Sequence, residues 1–337
     1  MATIAQVALY AGVSTATVSR ALNKPDVVDE KTKAKVRAAV DALGYRPNQV
    51  ARGLASRSSR TIGVVINCFD SPYYGNMIQG AEKGLRTVGY KTIAESSGEN
   101  AGGEKAAWDS LLDRQCEAIL LHADALSDDE LSELYKSRPR TVLMNRYHPD
   151  FADRCVYLDN SKGGQLAGDY LLSKGHRSIA TITGPSSYYE AVDRLSGFCT
   201  SLASAGIELD PALIEEANFR DDMGFTCMNR LLDCGKKFTA VFCQSDEMAA
   251  GALDACRQRG VRVPEDISVL GFDGMELAYH LTPKLTTVRQ PLREIGEAAG
   301  LLAYAVATKS TDHSDIQRIF AAEVVERSSV RDLNDGS

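Results

Sequence analysis

The chain has 337 residues, 44% of them hydrophobic and 25% charged, the balance of a globular protein of two or three domains. Its apolar runs reach about half of the ~20 residues that a membrane span needs, which excludes a chain built of membrane helices. Residues 1–60 hold 10 Lys and Arg against 4 Asp and Glu, a balance of +6, whereas the rest holds 28 against 41, a balance of −13. A basic head on an acidic body points to a polyanion as the partner of the head. The opening "MATIAQVALYAG" has neither the basic region nor the apolar run of a secretory signal, so a cytoplasmic location with no membrane partner is expected. Eight cysteines at irregular spacing, with no C-x-x-C, are expected as buried reduced thiols, not as a disulfide framework or a zinc site.

Three helices are expected in residues 1–46. Thr3 followed by Gln6 fits a capping box, Ile4, Val7, Ala8 and Ala11 recur at helical spacing, and Gly12 offers a left-handed stop. Ser14 can cap a second helix whose inner face is Val18 with Ala21 and Leu22, ended by Pro25. A third begins near Asp29, carries the stripe Val36, Ala39, Val40 and Leu43, and closes at Gly44. Two short helices joined by a tight turn, with a third across them, make a helix-turn-helix unit. A recognition helix lies deep in the major groove, so its outer positions must be small or hydrogen-bonding. Thr15 and Ala16 suit base edges or a thymine methyl, and Arg20 suits guanine. Ser14, Thr17 and Ser19 suit phosphate oxygens, and Asn23 ends the same stretch.

Residues 47–60 are expected as a hinge. "RPNQVARGLASRSSRT" has room for about two helical turns, too short to be stable alone. Leu54 is either a wedge that enters the minor groove between base steps or a chance apolar residue in a linker.

From residue 61 onward, short β-rich runs ("TIGVVINC", "KTIAES", "AILLHA", "TVLMNR", "CVYLDN") alternate with helical stretches, and a second series follows ("SIATITG", "LIEEAN", "FTAVFCQSD", "ISVLGFDG", "LTTVRQ"). The expected fold is α/β: two doubly wound parallel sheets in two lobes, with a ligand cleft at the carboxyl ends of the strands. Asp159, Asp246 and Asp273 fall just past strand ends, and Arg194 falls on the helix after "SIATITG". Such groups, with Tyr73, Tyr74 and Phe219 to stack on a ring, suit a neutral polyhydroxyl ligand. Each has a plain alternative: the Asp residues as helix caps, the aromatic residues as packing between lobes. "SSGENAGGE" is expected as a surface loop, since it lacks phosphate-cradle spacing. No nucleophile elbow, Walker loop or metal motif is present, so neither enzymatic activity nor a cofactor or metal is expected.

The chain resembles the LacI/GalR-type bacterial transcription repressors along essentially its whole length. "TIAQVALYAGVSTATVSRALN" and "GYRPNQVARGLAS" follow that family's head and hinge. "DRLSGF", "FTAVFCQSDEMAAGAL", "VPEDISVLGFDG" and "PKLTTVRQP" follow its effector domain, and "ALSDDEL", "VLMNR" and "RCVYLDN" look like its galactose repressor and isorepressor branch. The resemblance implies that Thr15, Ala16 and Arg20 read operator bases. It implies a hinge helix through Asn48, Ala51 and Leu54, with Leu54 as the wedge. It also implies effector contacts from Tyr73, Tyr74, Arg194, Phe219 and Asp273, with Asp159 beside them.

Two positions depart from the sugar-responsive pattern: Ser245-Asp246 replaces Asn-Asp, and Gly274 replaces a second carboxylate. Both are expected to reshape the pocket toward a larger or differently oriented sugar. The expected body is a periplasmic-binding-protein-like effector and dimerisation domain over 61–337, with one lobe about 61–160 plus 290–321 and the other about 161–289 plus 322–337. No Leu heptads follow the last strand, so a homodimer is expected, with tetramers through the body left open. The expected partners are double-stranded operator DNA and a small sugar effector. The alternatives are a corepressor-dependent regulator and a sugar-binding protein without DNA switching.

Overall fold

The computed structural model describes residues 2–45, 58–98, 100–310 and 313–334, which fall into two compact units, 1–59 and 60–337. The expected hinge contacts Asn48, Ala51 and Leu54 lie outside the described residues.

In the first unit, helices α1 (Ile4–Ala11), α2 (Thr15–Asn23) and α3 (Glu30–Leu43) start on the side-chain caps Thr3, Ser14 and Asp29. Each cap oxygen accepts a backbone N–H that the first helical turn leaves without a partner. Gly12 and Gly44 take the left-handed conformation that ends α1 and α3. Val7, Ala8, Ala11, Val18, Val36 and Ala39 are buried together and hold the three helices.

The second unit has two six-stranded sheets. The first runs in the order β2 (Lys91–Ser96), β1 (Thr61–Ile66), β3 (Ala118–Leu121), β4 (Thr141–Met144), β5 (Cys155–Leu158), β11 (Ile319–Phe320). The second runs β7 (Ile214–Glu216), β6 (Ile179–Thr183), β8 (Ala240–Cys243), β9 (Ser268–Asp273), β10 (Thr286–Arg289), β12 (Glu323–Val325). All pairings are parallel except that of β10 with β12. The central strands β3, β6 and β8 are buried along their whole length and β1 from Ile62 onward, as strands covered on both faces must be. β11 joins the first sheet and β12 the second with only two residues between them, so the chain passes between the lobes there. It also passes between them after β5 and after β10, since the helix Leu292–Thr308 packs on the helix Pro72–Thr87 of the first lobe.

Part of the stretch expected as a loop is helical. A helix spans Ala101–Asp113, and Asn100 caps it by accepting from the N–H of Gly103. One glycine that read as loop serves packing: a Cβ on Gly103 would stand 1.7 Å from the Ser97 carbonyl oxygen. Inside this helix Glu104 is fully buried, and its carboxylate accepts from the backbone N–H groups of Asp124, Ala125 and Leu126. The cysteines also depart in part from expectation: all eight are free thiols, but Cys234 is exposed and Cys68 and Cys199 are half-buried.

Candidate functional site

On α2, Thr15, Ala16, Arg20 and Asn23 are exposed, while Val18 is fully buried on the opposite side. Ser14 and Thr17 are partly committed to the helix start: Ser14 Oγ accepts from the Thr17 N–H at 3.1 Å and lies 2.9 Å from its hydroxyl. Ser19 Oγ accepts from Asn23 Nδ2 at 3.3 Å. The helix therefore presents one small methyl, several hydroxyls and one guanidinium on a single face.

In the body, a cavity of about 110 Å³ lies between the lobes. One water needs ~10–15 Å³ measured in this way, so there is room for a small organic ligand. The first lobe supplies Asn67, Cys68, Ser71, Tyr73 and Tyr74, and the second supplies Glu190, Arg194, Phe219, Ser245 and Asp273 among others. Six of the eight effector positions expected from sequence thus meet at one cavity.

Helix packing positions Arg194. The helix Tyr189–Ser204, which carries it, lies against the helix Asn160–Ser173 with glycine at the crossing. A Cβ on Gly197 would stand 1.8 Å from the Ser161 carbonyl oxygen, and one on Gly164 2.0 Å from that of Arg194 itself. The guanidinium is 2% exposed. Its Nε donates to Asn160 Oδ1 at 2.9 Å and its Nη1 to the Gln244 carbonyl at 2.7 Å, while the Phe272 ring lies 4.0 Å beneath. Its Nη2 has no partner among the described residues. A buried guanidinium with a spare donor is poised for an oxygen of a ligand.

Asp273 ends β9 with φ +105°, a conformation unusual for any residue but glycine. Its carboxylate accepts from Gln290 Nε2 at 2.6 Å and stands 3.8 Å from Arg194 Nη1. Burial pushes its pKa up to about 7 against the pull of Arg194 and Gln290. Phe219, at φ +66°, lays its ring against Gly184, where a Cβ would come within 2.0 Å of the ring. Tyr73 and Tyr74 meet edge to face at 5.0 Å, and burial pushes both phenols well up. Ser245 caps a helix by accepting from the Met248 N–H and donates to the Phe219 carbonyl, so it holds the aromatic wall as well as lining the cavity.

Two expected residues do not reach the cavity wall. Asp159 caps the helix Asn160–Ser173, accepting from the Lys162 N–H at 3.0 Å and pairing with its ammonium at 2.9 Å. The plain reading of this residue as a helix cap is the one the fold uses. Asp246 is fully buried under the β9 loop, accepting from the Met275 N–H and the Thr287 hydroxyl, each at 2.6 Å. It shapes the loop that carries Asp273. Gly274 also differs from expectation. It lies off the cavity, and a Cβ there would stand 2.3 Å from the Arg289 side chain, so the missing carboxylate frees no room for ligand.

Sequence reading missed Asn67, Glu190, Arg220 and Glu247, which all line the cavity. Glu190 stands four residues before Arg194, one helical turn away, which was a legible signal. The other three needed the lobes brought together. Arg220 pairs with Asp70 across the mouth at 3.0 Å, and Ser71 donates to Glu247 at 3.0 Å.

A helix-turn-helix unit, followed by a two-lobed α/β body with a polar cavity between its lobes, defines a ligand-responsive DNA-binding regulator. Residues 3–48 match the model of the bacterial regulatory proteins, lacI family, and residues 169–330 match that of a periplasmic binding protein-like domain. The HTH-type transcriptional regulator GalR of Escherichia coli is 36% identical over 330 residues, 98% of this chain and 96% of its own length. The HTH-type transcriptional repressor PurR of Vibrio atlanticus is 36% identical over 339 residues, 99% of this chain and 100% of its own. The crystal structure of the lac repressor dimer bound to operator and the anti-inducer ONPF matches with a TM-score of 0.89 at 27% identity, covering 98% of this chain and 99% of that one. The chain belongs to the lacI family: it is a DNA-binding transcriptional repressor with a ligand-binding body, not an enzyme.

Proposed function

We propose that this repressor acts in the cytoplasm as a homodimer and is released from a palindromic operator by a small sugar, with galactose or a related sugar or glycoside favoured. The observation that carries the sugar reading is the pairing of Asp273 with Arg194 in the cavity, beside Tyr73, Tyr74 and Phe219. Asp273 accepts from ring hydroxyls, Arg194 Nη2 donates to a ring oxygen, and the aromatic residues cover the apolar face of the ring. GalR and PurR are equally similar to this chain at 36%, so the relatives do not choose the sugar.

In this reading Thr15, Ala16 and Arg20 read bases, Ser14, Thr17, Ser19 and Asn23 hold the backbone, and Asn48, Ala51 and Leu54 form the hinge contacts in the minor groove. The lac repressor dimer bound to operator supports two-fold reading of a palindrome. The sugar acts by preferring one arrangement of the lobes over the other, and it weakens DNA binding only by that difference in affinity. The test is fluorescence anisotropy on a labelled palindromic operator at fixed salt, titrated with galactose, fucose, glucose, ribose and common glycosides. Release by one sugar supports the reading, and tighter binding with sugar replaces it with a corepressor. Indifference to the whole panel refutes it.

A further inference from the structure

Glu190 lines the cavity but has no part in the sugar contacts assigned to Arg194, Asp273 and the aromatic residues. It lies one helical turn before Arg194 and is 7% exposed, and its carboxyl makes no hydrogen bond or ion pair with another of the described residues. Its electrostatic neighbour from the first lobe is Asp124, 5% exposed. The Asp124 carboxylate accepts from Asn67 Nδ2 at 2.6 Å and from the Tyr74 hydroxyl at 3.4 Å, and lies 3.2 Å from His122 Nδ1. Glu190 is one of three carboxyl groups on the cavity wall, with Asp273 and Glu247, and has Arg194 on its own helix.

The cations do not answer it fully. Arg220 is held at the mouth by Asp70, and Arg194 is pinned through Nε and Nη1, with Asp273 at 3.8 Å. Burial and Asp124 push the Glu190 pKa up, while His122 and Arg194 oppose that rise without cancelling it. With Arg220 held by Asp70 and Arg194 shared with Asp273, the Glu190 carboxyl has no cation of its own among the described residues, so a cation on the ligand can pair with it. An ammonium also brings three donors to a carboxylate that lacks them. A neutral hydroxyl brings one donor and no charge.

We infer that Glu190 is a specificity residue for a cationic amine, so that the ligand of this cavity is an aminated sugar: its ring oxygens engage Arg194 and Asp273, and its ammonium meets Glu190. The inference rests on the sugar reading and narrows it to one chemical class. The free donor on Arg194 calls for an oxygen-bearing ligand, and the free carboxyl of Glu190 calls for a donor on the same molecule.

The test is calorimetric titration of the full-length protein at pH 7 with matched pairs: galactosamine against galactose, glucosamine against glucose, and the N-acetylated form of each amine. Operator release by anisotropy is run in parallel. At least one amine is expected to bind tenfold or more tighter than both its parent hexose and its N-acetyl form. E190Q is expected to remove most of that advantage, read as the ratio of amine affinity to parent-hexose affinity in the same variant. Equal affinity for amine and parent overturns the inference and leaves the sugar reading standing. Failure of every amine and every hexose to bind overturns both. The wild-type pairs decide the matter even if E190Q does not fold. If E190Q folds and keeps the full amine advantage, Glu190 is not the group responsible and the inference is wrong.

Discussion

In the head, Thr15, Ala16 and Arg20 stand exposed on one nine-residue helix, and six buried apolar side chains behind them hold that helix in place. In the body, Arg194 is 2% exposed and Asp273 6%, and they come from a helix and a strand end some eighty residues apart in the chain. A surface that meets DNA needs only a scaffold and a correct periodicity. A cavity that meets a small ligand needs walls from several elements and pays desolvation on every polar group it buries. The pKa of Asp273, held up at about 7, is the mark of that difference.

The sharpest way to break the comparison is Asp273→Asn, which keeps the shape and removes the charge. Losing a hydrogen bond to a charged group costs ~1.5–3 kcal/mol, so sugar affinity should fall roughly 10- to 150-fold in a calorimetric titration. An unchanged titration would remove Asp273 from the site. Arg20→Ala makes the matching change in the head: it should cost ~1–3 kcal/mol of discrimination at one base pair, read as the ratio of anisotropy Kd values for operator and single-base variants. A uniform loss across all sequences would instead make Arg20 a phosphate contact.

The pH dependence follows from the raised carboxyl. Between about pH 4 and 7, the folded state keeps on Asp273 a proton that the unfolded chain has released. Stability from this group is therefore present at low pH and falls as pH rises through that window, by about 1 kcal/mol per pH unit. Arg194, Gln290, Asp246 and Glu247 face the same carboxyl, so the comparison is made against Asp273→Asn by denaturant melts at pH 5 and 7. The wild type should lose more stability than the variant between the two. A smaller effect separates the two units: Ser14→Ala removes the cap of α2 and should cost ~1 kcal/mol in a head-specific transition, leaving sugar affinity untouched. Smallest of all is Asp159→Ala in the cavity assay. As a helix cap paired with Lys162, it should alter sugar affinity less than about twofold, and a tenfold loss would put it back among the ligand contacts.

Asp159, Asp246 and Asp273 look alike in the sequence, each a carboxylate just past a strand. The fold gives them three different duties: capping a helix, bracing a loop, and lining the cavity. What separates them is which element packs against each, and that information is spread over the chain. Gly103 and Gly274 teach the same lesson. The sequence reading took each as open chain or open space, yet each sits where a carbonyl or an arginine stem comes too close for a side chain.

From the sequence alone came the helix-turn-helix head, the two strand series, the family resemblance and the candidate set Tyr73, Tyr74, Asp159, Arg194, Phe219, Ser245, Asp246 and Asp273, because caps, apolar periods and strand-end positions are local signals. Only the tertiary structure decided that Asp159 and Asp246 leave that set and that Glu190, Asn67, Arg220 and Glu247 enter it. Membership of a cavity is set by which groups are brought within reach and deprived of water together, and that depends on the closure of two lobes that no single stretch of chain contains.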